Sequence, residues 1–286
     1  MRSKSAILGL GLLFIVGILG FVGCSDDDTA PTNSGLTGGS LTDPDFLLVQ
    51  DQVNVYLDST QQFFTAGLNN INQLPADTGK VPATYGPIGP KDTASYVYYN
   101  GWHITYVSRD NDNFVNRVLD SVQFMNGETA LQNPAGLDYL HYIHRWEFAA
   151  KNATITNTSM NGYVNVEFSD LDTDVAKING TQNLTARWDY YSVDSNVTAI
   201  FDMDITASDI AIQQVPNYGW SSGCPTSGTV EMQLNASYSV NTGFGPDLTV
   251  KIWDCDVTFD MGVATVQLKS ENKIWTYTRE ICVPVE

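Results

Sequence analysis

From Ser95 to the C terminus, apolar side chains recur at every second position over long stretches, and this alternation constrains the fold more than any other feature. Trp102, Ile104 and Tyr106 form one such set, and Val118, Val122 and Phe124 form another. Leu140, Tyr142, Trp146 and Phe148 follow, then Val164, Val166 and Phe168, then Leu184, Ala186, Trp188 and Tyr190. In an extended chain successive side chains point to opposite faces, so each set makes a strand with one apolar and one polar face. Asn, Gly, Asp and Ser separate the sets, as tight turns require. The pattern predicts about a dozen antiparallel strands in an extended meander.

Such a sheet has an apolar face to cover. Thr42-Asp43-Pro44 offers a helix cap followed by Pro in the first turn. Phe46, Val49, Val53, Tyr56, Phe63, Phe64, Leu68 and Ile71 then recur at steps near three and four, which predicts one long amphipathic helix over residues 44–73. Its β-branched and Asn content is unfavourable for an isolated helix, so packing has to supply its stability. A Pro- and Gly-rich connection spans residues 75–92. The expected fold is α+β and mostly β, with this helix packed on a large curved antiparallel sheet; a β-sandwich with a docked helix is the alternative. Residues 42–286 form a single domain on this reading.

Two segments of the meander read alike. Asn179-Gly180-Thr181, Leu184-Thr185-Ala186 and Phe201-Asp202-Met203-Asp204-Ile205-Thr206 parallel Ser227-Gly228-Thr229, Leu234-Asn235-Ala236 and Trp253-Asp254-Cys255-Asp256-Val257-Thr258. The offset grows from 48 to 52 residues, so the repeat is two long hairpins with unequal loops. Asp202, Asp204, Asp254 and Asp256 fall at i, i+2, on the face opposite the core. On adjacent strands these four carboxylates would repel unless a hard cation such as calcium bridged them. No Asp-x-Asp-x-Asp-Gly loop accompanies them, and glycosidase carboxylates sit at strand ends rather than mid-strand, so solvated outward Asp is the simpler reading.

Other reactive groups are sparse. His141-x-x-His144 with Glu147 would hold zinc on a helix, but on a strand His141 and His144 point to opposite sides. His103 lies opposite Ile104 with no partner apparent in the sequence. Nucleophile elbows, phosphate loops and HExxH are absent, so no catalytic residue is assigned. Trp102, Trp146 and Trp188 are candidates to line an apolar pocket between helix and sheet. Four cysteines occur. Cys255 shares a face with Trp253, Val257 and Phe259, which makes it a buried free thiol. Cys282 lies opposite Trp275, Tyr277 and Ile281, and a Cys224–Cys282 disulfide is expected.

The N terminus fixes location. Arg2 and Lys4 precede residues 6–22, which are wholly apolar or Gly, and the run ends at Phe21-Val22-Gly23-Cys24. Seventeen residues with four glycines are short for a membrane span. The segment resembles the signal peptide of bacterial lipoproteins, in which a small residue precedes an invariant Cys; Gly23 and Cys24 match, while Phe21 stands where Leu is usual. The resemblance implies cleavage after residue 23 and a covalent lipid (palmitate among the acyl chains) on Cys24, which anchors the chain. Ser25-Asp26-Asp27-Asp28 resembles the export signal that carries Bacteroidetes lipoproteins to the cell surface. Residues 24–41 read as a flexible tether.

Loss of Arg2 and Lys4 takes the formal charge from −18 to −20, which repels phosphate backbones and excludes nucleic acid as a partner. The expected location is the cell envelope, at the outer membrane. The helix-on-curved-sheet arrangement is similar in architecture to the half-barrel of periplasmic lipoprotein carriers. These expectations favour a non-enzymatic envelope protein that binds or scaffolds, with carriage of a lipid or other apolar ligand as the alternative and a carbohydrate-binding or carbohydrate-active module as a third reading. Partners are then the membrane, through the anchor, and other envelope proteins or an apolar ligand.

Overall fold

A computed structural model describes residues 37–43, 46–47, 49–51, 53–54, 57, 92–111, 114–152, 156–191, 196–214, 224–241 and 246–282. They form one open, curved sheet of thirteen strands. In chain order these are β1 Thr37–Gly38, β2 Thr93–Tyr99, β3 Trp102–Asn111, β4 Phe114–Asn126, β5 Thr129–Leu131, β6 Tyr139–Asn152 and β7 Thr156–Ser169. Then come β8 Val175–Tyr191, β9 Asn196–Gln213, β10 Pro225–Asn241, β11 Pro246–Asp260, β12 Val263–Ser270 and β13 Lys273–Glu280. From β6 to β13 each strand pairs antiparallel with the next, as the alternation predicts. β5 pairs with the end of β4 and carries on the line of β3 beyond the Asn100-Gly101 turn. The described strands make a single sheet, not the two of a sandwich.

The helix departs from expectation. Helix among the described residues is minimal, at 46–47, 49–51, 53–54 and 57, in place of one continuous element over 44–73; residues 58–73 and the 75–91 connection lie outside the described residues. The start is as read: the Asp43 carbonyl accepts the Leu47 N–H at 3.0 Å, which places Asp43 at the cap. Phe46, Val49, Val53 and Leu57, at steps of three and four, are all buried against the sheet. Phe46 stacks on Trp275 at 5.7 Å and meets Tyr277 edge-on at 6.0 Å. Polar ties close the contact: Arg279 donates to the Asn54 carbonyl at 2.7 Å, and Lys273 pairs with Asp43 at 3.2 Å.

The tether also ends earlier than the composition implies. Thr37–Gly38 pair in parallel with Lys273–Ile274 on β13, and the Ser40 carbonyl accepts Trp275 Nε1–H at 3.0 Å. Residues 37–41 are therefore part of the fold, because backbone groups satisfy the β13 edge regardless of side-chain polarity.

The repeat is realised as the β8–β9 and β10–β11 hairpins. Its glycines mark irregularities in pairing: the register shifts between Ile178 and Gly180 on β8 and on both sides of Ser227 on β10. Gly228 has φ +115, and a Cβ there would lie 2.5 Å from Ile210 Cα, so only Gly fits. Leu184 pairs with Met203, whereas the equivalent Leu234 pairs with Trp253, the counterpart of Phe201. The second hairpin has thus slipped by two residues. An even slip keeps every side chain on its original face, which is why both copies share one core.

Candidate functional site

The faces of the sheet differ along its width. On the inner face, one register row runs Trp253, Leu234, Met203, Leu184, Gly162, Trp146, Val118 and Val107, apolar across eight strands. The next row begins equally apolar with Leu268, Cys255, Met232 and Ile205. It then changes to Gln182, Val164, His144, Asp120, Thr105 and Tyr96. The apolar core runs across the inner face from β4 to β13, with the helical residues packed on it, while the β2–β6 end also carries a polar cluster beside half-buried aromatic rings.

The cluster has two parts. Asp120, 7% exposed, accepts from the Tyr142 hydroxyl at 2.8 Å and from His144 Nδ1–H at 2.5 Å. That bond fixes the His144 tautomer and turns Nε2 away from Asp120. In the second part, Tyr96 Oη lies 2.7 Å from His103 Nδ1, and the ring sits among Tyr98 at 4.8 Å and Phe124 at 5.0 Å. His103 Nε2 is buried with no hydrogen-bond partner among the described residues. Burial pushes the His103 pKa below the usual 6.5, with the Leu131 backbone opposing to a smaller extent, and burial likewise raises Tyr96.

Aromatic rings continue the site along β6. His144 stacks between Tyr142 at 5.9 Å and Trp146 at 5.1 Å. The indole of Trp146 lies flat over Gly162, where an added Cβ would come within 2.1 Å of the ring, so the missing side chain makes the slot that holds it. Phe148 and the Trp188–Phe201 pair, 5.1 Å apart, extend this surface and remain half-buried. The arrangement supplies apolar area with a few converging polar groups, the make-up of a ligand site.

A lowered His103 pKa has a definite consequence. The folded state holds the ring neutral, so its contribution to stability is full above about pH 6.5 and is lost as pH falls below that towards the folded pKa. The melting temperature of the wild type is expected to drop more steeply between pH 6.5 and 5 than that of His103→Gln; parallel profiles would contradict the assignment.

The sequence-derived candidates fare unevenly. Trp146 and Trp188 lie on the inner face, but Trp102 is on the other side of the sheet with Ile104 and Tyr106, against His141 at 5.1 Å. The inward residues of β3 are His103, Thr105 and Val107, all buried. Alternation alone placed β3 the wrong way round because its larger, more apolar set, Trp102, Ile104 and Tyr106, is the one that faces outward. His141 and His144 do point to opposite faces: His141 Nε2 meets Asn165 Oδ1 at 2.5 Å, and Glu147 pairs with Arg117 at 3.0 Å.

Asp202, Asp204, Asp254 and Asp256 lie on the outer face of β9 and β11, strands separated by β10, hence roughly 10 Å apart. Asp204 accepts from Asn183, Asp254 from Gln233 at 3.1 Å and Asp256 from Lys269. No group of three or more His, Cys, Asp or Glu suited to a metal ion occurs among the described residues. Cys224 and Cys282 form the expected disulfide, with Cα atoms 5.8 Å apart, and Cys255 is a buried free thiol whose pKa burial pushes up to about 12.

Asp120, Tyr96 and Thr105 were not legible as site residues. Asp120 falls midway between Val118 and Val122, so its position on an apolar face was the available signal. No known protein family matches the chain, and neither a curated protein nor a solved structure shows significant similarity to it.

Proposed function

We propose that this chain is a lipid-anchored protein of the cell envelope, exported and acylated at Cys24, with a binding rather than a catalytic role. Its ligand is a lipid or other apolar molecule carrying a polar group, held on the inner face of the β2–β8 half. One observation carries this reading: half-buried aromatic rings at Trp146, Phe148 and Trp188 adjoin the hydrogen-bonded Asp120–His144–Tyr142 group, in which Asp120 is buried and the two rings are half-buried. Apolar walls fit acyl or ring carbons, and His144 Nε2 meets the polar end of the ligand. The Cys24 anchor keeps the site at a membrane, where such ligands reside.

The test is native mass spectrometry of the mature protein extracted from its membrane. The expected result is an adduct of several hundred daltons beyond the Cys24 lipid, lost on collisional activation. A mass accounted for by the acylated chain alone would favour a scaffold that acts through protein partners.

A further inference from the structure

The opposite face of the sheet, at the β2 edge, carries a row of residues distinct from those of the site above. The β2–β3 hairpin closes on Asn100-Gly101, with φ of 49 and 83, the left-handed pair of a two-residue turn. This turn sets Tyr99 and Trp102 directly opposite each other in the ladder, which puts both side chains on the outer face. The same register row continues through Gln123, His141 and Glu167. Across five strands it spans roughly 19 Å. Tyr99 is 64% exposed. Beyond the rings the polar groups are held in place: His141 meets Asn165 at 2.5 Å and packs on Trp102 at 5.1 Å, and Tyr139 hydrogen-bonds Glu167.

We infer that this row is a carbohydrate-binding surface for a neutral oligosaccharide. Sugar rings offer apolar C–H faces edged by hydroxyls that both donate and accept. Adjacent aromatic rings match the faces, and an amide, an imidazole and a carboxylate along the row match the edges. A phospholipid surface fits less well, because Glu167 and the strongly acidic chain repel anionic headgroups. The length of the row suits several sugar units rather than one. An aromatic cross-strand pair also stabilises a hairpin, but a ring as exposed as Tyr99 contributes little to folding, which makes it the informative position.

The test uses the mature chain from Cys24 with Cys24→Ser, run in native gels containing a soluble β-1,3-glucan, xylan or mannan, and sedimented with phosphatidylethanolamine–phosphatidylglycerol vesicles. Retardation is expected in at least one polysaccharide gel. It weakens about tenfold in Tyr99→Ala and in Trp102→Ala, with Trp102→Phe restoring most of it. No vesicle binding is expected. Retardation by none of the three polysaccharides, retardation unchanged in Tyr99→Ala, or vesicle binding that Tyr99→Ala abolishes would each overturn the assignment.

Discussion

Replacing Phe46 with alanine is expected to lower the unfolding free energy by about 3–5 kcal/mol, the usual cost of deleting a fully buried aromatic ring. Phe46 is 1% exposed and sits on Trp275 and Tyr277, and Trp275 in turn packs against Trp253 at 5.1 Å. Removing the ring opens a cavity under the described helical residues, whose stability rests on packing of the buried stripe rather than on intrinsic helicity. Urea denaturation checks this: the midpoint falls while the slope stays unchanged. Leu47, one residue on and 40% exposed, is the control, and its alanine variant is expected to stay within about 0.5 kcal/mol of wild type. Equal losses at the two positions would show that the helical segment does not pack as described.

The second large effect is at the disulfide. Cys224 precedes β10 and Cys282 follows β13, so the bond closes 58 residues of chain and ties the end of the meander to its middle. Loop closure of that length is worth about 4 kcal/mol through restriction of the unfolded chain. The Cys224→Ser/Cys282→Ser variant is expected to lose about that much, measured by the same denaturation experiment. Cys255 remains as an internal reporter. Its thiol is buried and held protonated, so alkylation at neutral pH proceeds only as the variant unfolds, and earlier in urea than for Cys255 in the wild type.

Much of the sheet was legible because alternation is a local property. β6 to β9 read directly from Leu140 to Ile205, since each has one clearly apolar face. The Asp pairs and Cys255 were assigned to their correct faces for the same reason. β3 failed because Trp102, Ile104 and Tyr106 are larger and more apolar than His103, Thr105 and Val107, yet the smaller set faces inward. What decides its orientation is the register with Val118 and Asp120 on β4, and pairing between strands is not encoded in either strand alone. The polar cluster was hidden likewise. Asp120, Tyr142 and His144 lie on two strands, and Tyr96 and His103 on two others, so each bond forms only after the sheet assembles. The 44–73 periodicity located the buried helical stripe correctly at Phe46, Val49 and Val53, the part of it that falls on described residues.

On the proposed function, the inner face, and not the outer, takes an apolar ligand. The most direct measurement is a titration of the mature Cys24→Ser protein with a fluorescent fatty acid, repeated for Trp146→Ala and Trp102→Ala. The predicted result is saturable binding that weakens about tenfold when the inner Trp146 is lost and is unchanged when the outer Trp102 is lost. Absence of saturable binding, or sensitivity to Trp102 rather than Trp146, would contradict it.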